Sequence, residues 1–208
     1  LKTETVNGKR FYVLPNGNKY PSITTVLSAR GNAGILKWRE SVGEQVANTI
    51  MRNAANRGTA VHTLTENYLN NEELSQQGVL PTALFTILKT ELDKINNIVM
   101  QEGALYSDKW GVAGRVDCIA EYEGELAIID FKTSKKIKPE KWCQNYFVQE
   151  TAYAAMFLER SGLEVKKIVT LIATEEGTIQ VFEKYNLDDY LQLLKSYIEE
   201  FVRGRTYA

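Results

Sequence analysis

The segment from Gly114 to Thr133 constrains the fold more than any other part of the chain, because it contains two apolar-rich runs joined by Glu123-Gly124. Valine, isoleucine and tyrosine favour strands. A glycine at the second of two turn residues accepts the positive φ that a type I′ hairpin turn requires. We therefore predict a β-hairpin with a two-residue loop, in which Tyr122 faces Glu125.

This register brings two carboxylates together. Asp117 is expected directly opposite Asp130, with Cβ atoms roughly 5 Å apart on one face of the sheet. Lys132 lies two residues beyond Asp130 and therefore on the same face. Like charges in facing positions destabilise a sheet, so a protein keeps such a pair mainly where a cation lies between the carboxylates. Oxygen ligands favour a hard cation, Mg²⁺ or Mn²⁺.

A pair of aspartates with an adjacent lysine is suited to one kind of chemistry. A divalent cation can activate a water molecule, and the ammonium group can stabilise developing negative charge or orient that water. The pattern therefore favours metal-dependent hydrolysis of phosphodiester bonds. The alternative is an ordinary hairpin that carries two solvated acids, and the spacing alone leaves both interpretations open.

Composition favours a single globular domain over residues 1–208, since 44% of the residues are apolar. No apolar run is long enough to span a membrane. Two cysteines without metal-site spacing indicate a reducing compartment. The net charge of −1 excludes a globally basic nucleic-acid coat, so any DNA binding must use a local patch. The chain begins with Leu1 rather than methionine, which leaves open a preceding targeting segment.

Helical periodicity dominates the first half of the chain. Apolar spacing predicts a helix over residues 34–56, an interruption at Asn56-Arg57-Gly58-Thr59 and a continuation through Leu69. A second apolar stripe predicts one long helix over residues 81–102. We therefore expect a helical segment at about 34–103 that packs on or arches over a core at 104–208.

The first helical region also contains polar residues that suit a binding site. His62 is the only histidine of the chain, and Glu66 shares its helix face. A lone helical histidine is either a metal ligand or an ordinary surface or core residue. Gly58 lowers helix stability, which indicates either a helix break or the close approach of another backbone, such as that of DNA.

The second half of the chain alternates strands and helices. A short strand at 104–106 leads into the hairpin, and apolar spacing predicts a helix over 141–160. A second hairpin is predicted at 165–174 and 178–185, followed by a final amphipathic helix capped by Asn186 or Asp188.

Two further segments have the composition of DNA contacts. Ser22 and Thr24 precede an apolar run, where their hydroxyls either bind a phosphate or simply cap a helix. Five lysines fall between positions 132 and 141. This basic patch is either a solubilising loop or a surface that holds a phosphate backbone while a tryptophan stacks on a base. The candidate residues of the patch are Lys135, Lys136, Lys138 and Trp142.

The chain contains four motifs in the order Gly58-x-x-x-His62-x-x-x-Glu66, Gly114-x-x-Asp117, Asp130-Phe131-Lys132 and Gln149-x-x-x-Tyr153. Together they resemble the PD-(D/E)XK nuclease superfamily in its RecB-like branch, and particularly the mitochondrial genome maintenance exonucleases with their phage and bacterial relatives. Further similarity lies in Pro21-Ser22-Ile23-Thr24 and in the residues that follow Asp117 and Lys132. The four-cysteine iron–sulfur subfamily is excluded, because the chain has only two cysteines.

The resemblance implies an α/β (α+β) fold, with a mixed central β-sheet flanked by helices, a restriction-endonuclease-like core and an N-terminal helical segment. It also implies a role for each motif residue. Asp117, Asp130, His62 and the carbonyl of Phe131 bind Mg²⁺ or Mn²⁺, and Lys132 acts at the attacking water and the scissile phosphate. Gln149 and Tyr153 position the phosphate or the lysine. Glu66 holds a second metal or orients His62, and Arg57 and Gly58 contact DNA.

The function that the resemblance implies is that of a metal-dependent DNA exonuclease preferring single strands, in DNA replication, repair or recombination. Alternatives are a double-strand exonuclease, a structure-specific endonuclease or a non-catalytic DNA-binding module. The expected partners are DNA and, in addition, replication or recombination proteins, and the chain is expected to be a monomer without a membrane contact. The expected location is the cytoplasm of a bacterium or phage-infected cell, or alternatively the mitochondrial matrix after removal of a transit segment.

Overall fold

The architecture comes from a computed structural model that describes residues 1–31 and 33–206, with the backbone alone at 205 and 206. In this part of the chain three strands precede four α-helices, three further strands follow, and a helix, two strands and a last helix complete the fold, with one short 3₁₀ helix at Glu140–Trp142. The strands are β1 (Lys2–Val6), β2 (Lys9–Val13), β3 (Lys19–Pro21), β4 (Ile95–Ser107), β5 (Val112–Tyr122), β6 (Glu125–Ser134), β7 (Lys167–Thr174) and β8 (Ile179–Lys184). The α-helices are α1 (Ile23–Ser28), α2 (Ala33–Val42), α3 (Glu44–Leu69), α4 (Val79–Leu92), α5 (Gln144–Ser161) and α6 (Asp188–Thr206).

The central sheet is mixed, as predicted. Its five strands follow the order β4-β5-β6-β7-β8, and β6 and β7 run parallel while the other neighbours are antiparallel. A parallel pair needs a long crossover connection, and α5 supplies it. Strands β1, β2 and β3 form a separate three-stranded antiparallel sheet. None of the helices in the described part of the chain is long and apolar enough to cross a membrane.

The predicted hairpin is confirmed. Tyr122 pairs with Glu125, and the register continues without a shift to the pair Cys118–Ile129. Glu123 has φ 51° and Gly124 has φ 83°, which are the two positive values of a type I′ turn. The short loop therefore fixes which residues of β5 and β6 face each other.

The central sheet has a hydrophobic core on each face. Strand β6 alternates between the two cores, since Ile128 packs among residues of α1, α5 and α6, whereas Ile129 packs among residues of α3 and α4. Both side chains are fully buried. A strand that is covered on both faces has no solvent-exposed face for a charged residue. The acid near the carboxyl end of β6 therefore needs specific partners.

Two helix predictions are wrong. Helix α3 continues without interruption through Asn56–Thr59, and the break lies at Gly43, whose φ of 89° suits glycine and strains other residues. Helix α4 ends at Leu92, and the predicted helix over 81–102 is replaced from Ile95 onwards by β4. The helical segment therefore does not extend to 103, and only its first part is available to arch over the core. Pairing of β4 with β5 outweighs the local helical spacing.

Candidate active site

The candidate site lies where β5 and β6 separate. The last pair of their ladder is Cys118–Ile129, and Asp117 and Asp130 follow it directly. The backbone N–H of Phe131 donates a hydrogen bond of 3.0 Å to Oδ2 of Asp117 instead of to a strand partner. This bond holds the Asp117 carboxylate between the two strands, beside Asp130.

The two aspartates differ in their electrostatic surroundings. Burial and the neighbouring charge of Asp130 hold the pKa of Asp117 well above its usual value. Burial would also raise the pKa of Asp130, but the ammonium of Lys132 and a hydrogen bond from Asp117 lower it. Asp130 is therefore the ionised member of the pair, and Asp117 is the member that holds a proton more readily.

Lys132 connects the acids to helix α5. Its Nζ lies 2.9 Å from Oδ2 of Asp130 and donates to Oε1 of Gln149 at 3.3 Å. The Gln149 amide in turn donates to the hydroxyl of Tyr153 at 2.8 Å. Burial would lower the pKa of Lys132, but Asp130 and Asp117 raise it above the ordinary lysine value. Lys132 is therefore a fixed cation, and the structure brings it together with the two predicted α5 residues.

His62 reaches the same point from α3. Its Nε2 lies 2.7 Å from the carbonyl oxygen of Phe131, and its Nδ1 lies 3.6 Å from oxygens of both Asp117 and Glu102. Burial would lower the pKa of His62, but the charge of Asp117, contact with Glu102 and the charge of Asp130 raise it to about 9. The imidazole is thus held as a cation among acids at neutral pH.

Glu102 is a site residue that the sequence reasoning missed. It lies on β4 between Gln101, which pairs with Cys118, and Gly103, which pairs with Val116, so it is opposite Asp117. The predicted helix over 81–102 placed Glu102 in a helix, so its position opposite Asp117 was not predicted. Recognition of β4 as a strand antiparallel to β5 would have predicted an acid facing Asp117. Arg115 pairs with Glu102 at 2.9 Å.

The residues present fit a hard divalent cation. Ligand atoms of His62, Glu102 and Asp117 lie within 4.8 Å of one another. Oδ2 of Asp130 is buried and accepts no well-aligned hydrogen bond, although the Lys132 ammonium is 2.9 Å away. Carboxylate oxygens with one imidazole and a main-chain carbonyl form a donor set suited to Mg²⁺ or Mn²⁺.

The predicted role of Glu66 in orienting His62 is wrong. Both ring nitrogens of His62 face other groups, namely the Phe131 carbonyl on one side and Glu102 with Asp117 on the other. Glu102 therefore takes the position expected for Glu66. A second metal at Glu66 stays a prediction.

The predicted DNA contacts divide into two groups. Ser22 is buried and accepts a hydrogen bond from the backbone of Thr25, so it caps α1 and the prediction that it contacts DNA is wrong. Arg57 is held by an ion pair of 3.1 Å with Glu175, which favours a structural role. A Cβ at Gly58 would lie 3.8 Å from Thr133, so β6 is the close neighbour of Gly58.

The second group of predicted DNA contacts is accessible to solvent. Its exposed members are Thr24, Lys135, Lys136 and Trp142, whereas Lys138 is partly buried.

Gly114 makes room for Tyr153, and its replacement should show this. A Cβ at Gly114 would lie 2.6 Å from Cε1 of Tyr153 and 3.3 Å from Cγ2 of Ile23. We expect Gly114→Ala to lower the free energy of unfolding by about 1–3 kcal/mol, because the ring must shift within a packed core. Denaturant melts measure this change. Gly58→Ala is the matched control, since its Cβ has room, and it should raise stability by about 0.5–1 kcal/mol. Equal effects of both substitutions would contradict the packing.

The fold and the site together resemble those of one class of protein. A mixed sheet flanked by helices carries two adjacent acids, a lysine two residues beyond the second acid, and a histidine from a helix. These are the features of the PD-(D/E)XK-like nucleases, and the resemblance predicted from the motifs is confirmed by relationship in sequence.

The relatives are proteins of genome maintenance. The chain is 27% identical over 145 residues to human mitochondrial genome maintenance exonuclease 1, covering 64% of this chain and 40% of the human protein. It is 28% identical over 137 residues to the mouse protein of the same name, covering 59% and 39%. The chain thus spans about two fifths of the length of these relatives. No protein-family model matches the chain.

A solved structure has a partial likeness in fold. It belongs to a protein of Eubacterium rectale assigned as an exonuclease, with a TM-score of 0.47 at 12% identity. The superposition covers 73% of this chain and 65% of that chain.

Proposed function

We propose that this chain hydrolyses phosphodiester bonds of DNA with Mg²⁺ or Mn²⁺, as an exonuclease that prefers single strands. The observation that carries the proposal is the Lys132 ammonium, 2.9 Å from the buried carboxylate of Asp130 and beside the partly buried carboxylate of Asp117. Carboxylate oxygens that converge with an imidazole nitrogen form a donor set for a hard divalent ion, so a role in binding such an ion accounts for the arrangement of His62, Glu102 and Asp117. The role in replication, repair or recombination is part of the proposal and is supported by the names of the relatives.

Each residue of the site has a task that its surroundings support. Asp117, Asp130, Glu102 and His62 would hold the ion, together with the Phe131 carbonyl. When bound, the ion supplies an activated water and stabilises charge on the phosphate. The Lys132 side chain is a cation at neutral pH, so it would bind and orient a non-bridging phosphate oxygen rather than accept a proton. Gln149 accepts a hydrogen bond from the ammonium, and the Tyr153 hydroxyl accepts one from the Gln149 amide, so Tyr153 would hold the ammonium in place through Gln149.

The test of the proposal compares substrates and ions. Labelled linear single strands, linear duplexes and closed single-stranded circles are incubated with Mg²⁺, with Mn²⁺ or with EDTA. We expect degradation of linear single strands with either ion, slower degradation of duplexes, and none of circles. Cleavage of circles would favour the endonuclease alternative, and faster cleavage of duplexes would favour a double-strand exonuclease. If the protein binds DNA but hydrolyses none of the substrates under any of these conditions, the proposed enzymatic activity is refuted and a non-catalytic DNA-binding module is favoured.

Metal affinity should depend on pH through His62. The imidazole binds a metal only when neutral, and its pKa is raised from 6.5 to about 9 in the metal-free protein. A proton therefore competes with the ion below about pH 9, and apparent Mn²⁺ affinity should rise by up to about tenfold per pH unit between pH 6 and 9. The raised pKa of Asp117 acts in the same direction.

Calorimetry in buffers with different ionisation enthalpies measures both the affinity and the protons released. His62→Gln should weaken binding and reduce the dependence on pH. Mn²⁺ affinity that is constant from pH 6 to pH 9 would contradict this role of His62.

A further inference from the structure

A groove opens beside Lys132 that the proposed catalytic residues leave unexplained. It has a volume of about 510 Å³ and lies between α1, the start of α2 and α5. Pockets of this size hold single small molecules rather than double-helical DNA. The lining includes Thr24, Leu27, Ile35, Leu36, Asn145 and Tyr146, and the groove ends at Lys132 and Gln149.

The apolar wall of the groove comes largely from α2. This helix has no buried residue, and its side chains Ile35 and Leu36 are 44% and 62% exposed. Apolar side chains on a surface helix normally face the protein core. Here they face the groove, so the wall suits a flat apolar ligand that arrives from solvent.

The opposite side of the groove contains an aromatic ring held by two cations. Lys132 Nζ lies 4.8 Å from the centre of the Tyr146 ring, and Lys138 Nζ donates to the Tyr146 hydroxyl at 3.0 Å. The backbone of Lys138 is held by a hydrogen bond of 2.9 Å from its N–H to Oε1 of Gln180. Positive charge is therefore concentrated at the end of the groove beside Lys132, where an anionic phosphate fits. The wall formed by Ile35 and Leu36 is apolar.

We infer that the groove binds the nucleobase of an unpaired nucleotide whose phosphate lies at Lys132. This inference rests on the proposed function, and it adds the part of the substrate that contacts α2. A nucleotide combines an anionic group with an apolar ring, and the groove combines the Lys132 ammonium with the apolar side chains of Ile35 and Leu36. The base enters as a single ring system, so a paired end must open first. Packing against aliphatic walls discriminates little between bases, because every base has a flat apolar face.

The test uses binding as well as hydrolysis. Oligonucleotides carry normal nucleotides throughout, or two abasic residues at the 5′ end or at the 3′ end. Fluorescence anisotropy in EDTA gives the Kd of each strand, and Mg²⁺ assays give the KM. For the wild-type protein we expect abasic residues at one end to raise Kd and KM by about tenfold. Equal values for all three strands would overturn the inference.

Leu36→Ser isolates the wall of the groove, since Leu36 is exposed and its loss does not open the core. This variant should weaken binding of the normal strand about fivefold and leave the abasic strand unchanged. Leu163→Ser, an exposed leucine after α5 and outside the groove, is the matched control and should change neither. Equal weakening of both strands by Leu36→Ser would overturn the inference. Hydrolysis that does not depend on the base would refute base binding in the groove and leave the proposed nuclease activity standing. Base-dependent binding without hydrolysis would refute the nuclease activity and support base binding in the groove.

Discussion

Replacing Asp117 with asparagine should lower kcat by about 10³-fold and yet leave the metal-free fold at least as stable as the wild type. Asparagine keeps the shape and can still accept the hydrogen bond from the Phe131 N–H. It removes a negative charge that the ion needs. Loss of several kcal/mol of charge stabilisation corresponds to a fall in kcat of about 10³-fold.

The stability part of this prediction follows from the sign of the pKa shift. The pKa of Asp117 is raised in the folded protein by burial and by Asp130. The stability that such a carboxyl contributes is fully present below its unfolded pKa of about 3.8 and is lost as the pH rises. The wild type therefore loses this stability as the pH rises above that value, whereas asparagine does not titrate.

Thermal melts in EDTA at pH 7, Mn²⁺ calorimetry and single-turnover cleavage measure the three properties separately. Asp189→Asn, an exposed acid in the first turn of α6, is the control and should change none of them appreciably. A variant that loses stability together with activity would indicate that Asp117 is a structural residue. Full activity of Asp117→Asn would refute its place in the site.

Replacing Lys132 with alanine should lower kcat by about 10²- to 10³-fold while metal binding persists. The ammonium is held against Asp130 and Gln149, and both aspartates raise its pKa, so the variant loses a positive charge at the phosphate. Mn²⁺ affinity should be equal or higher, because the cation that competes for Oδ2 of Asp130 is gone.

Lys132→Arg refines this prediction. It keeps the charge but not the compact ammonium geometry, so it should retain more activity than the alanine variant. Lys166→Ala is the matched control, since Lys166 is exposed and precedes β7 at the far end from Lys132. Loss of Mn²⁺ binding in Lys132→Ala, or activity equal to that of the wild type, would contradict the assigned role.

The hairpin could be predicted because its determinants are close together in the chain. A two-residue turn with glycine in second position fixes the register, and the register fixes which side chains face each other. The structure has the predicted pairs from Tyr122–Glu125 to Cys118–Ile129. The juxtaposition of Asp117, Asp130 and Lys132 follows from those few residues alone.

Strand β4 could not be predicted by the same reasoning. Leu84, Leu88 and Leu92 have helical spacing and lie in α4, and Ile95 continues that spacing although it begins a strand. What decides the conformation of Ile95 is its pairing with Tyr122, a contact between residues distant in sequence. Glu102 was missed for the same reason. Conversely, Gly58 lies inside α3 because the helix packs against α4 and β6, although its local propensity indicates a break.

The sequence by itself determined the hairpin and with it the two acids and the lysine, because short-range geometry relates residues that a tight turn brings together. Only the tertiary structure decided that His62 and Glu102 join them, that Ser22 is buried as a cap, and that an apolar groove leads to Lys132. Those arrangements depend on how helices pack on the sheet and, for Glu102, on the pairing of β4 with β5. The free energy of such packing is summed over many distant contacts, and local sequence patterns do not contain it.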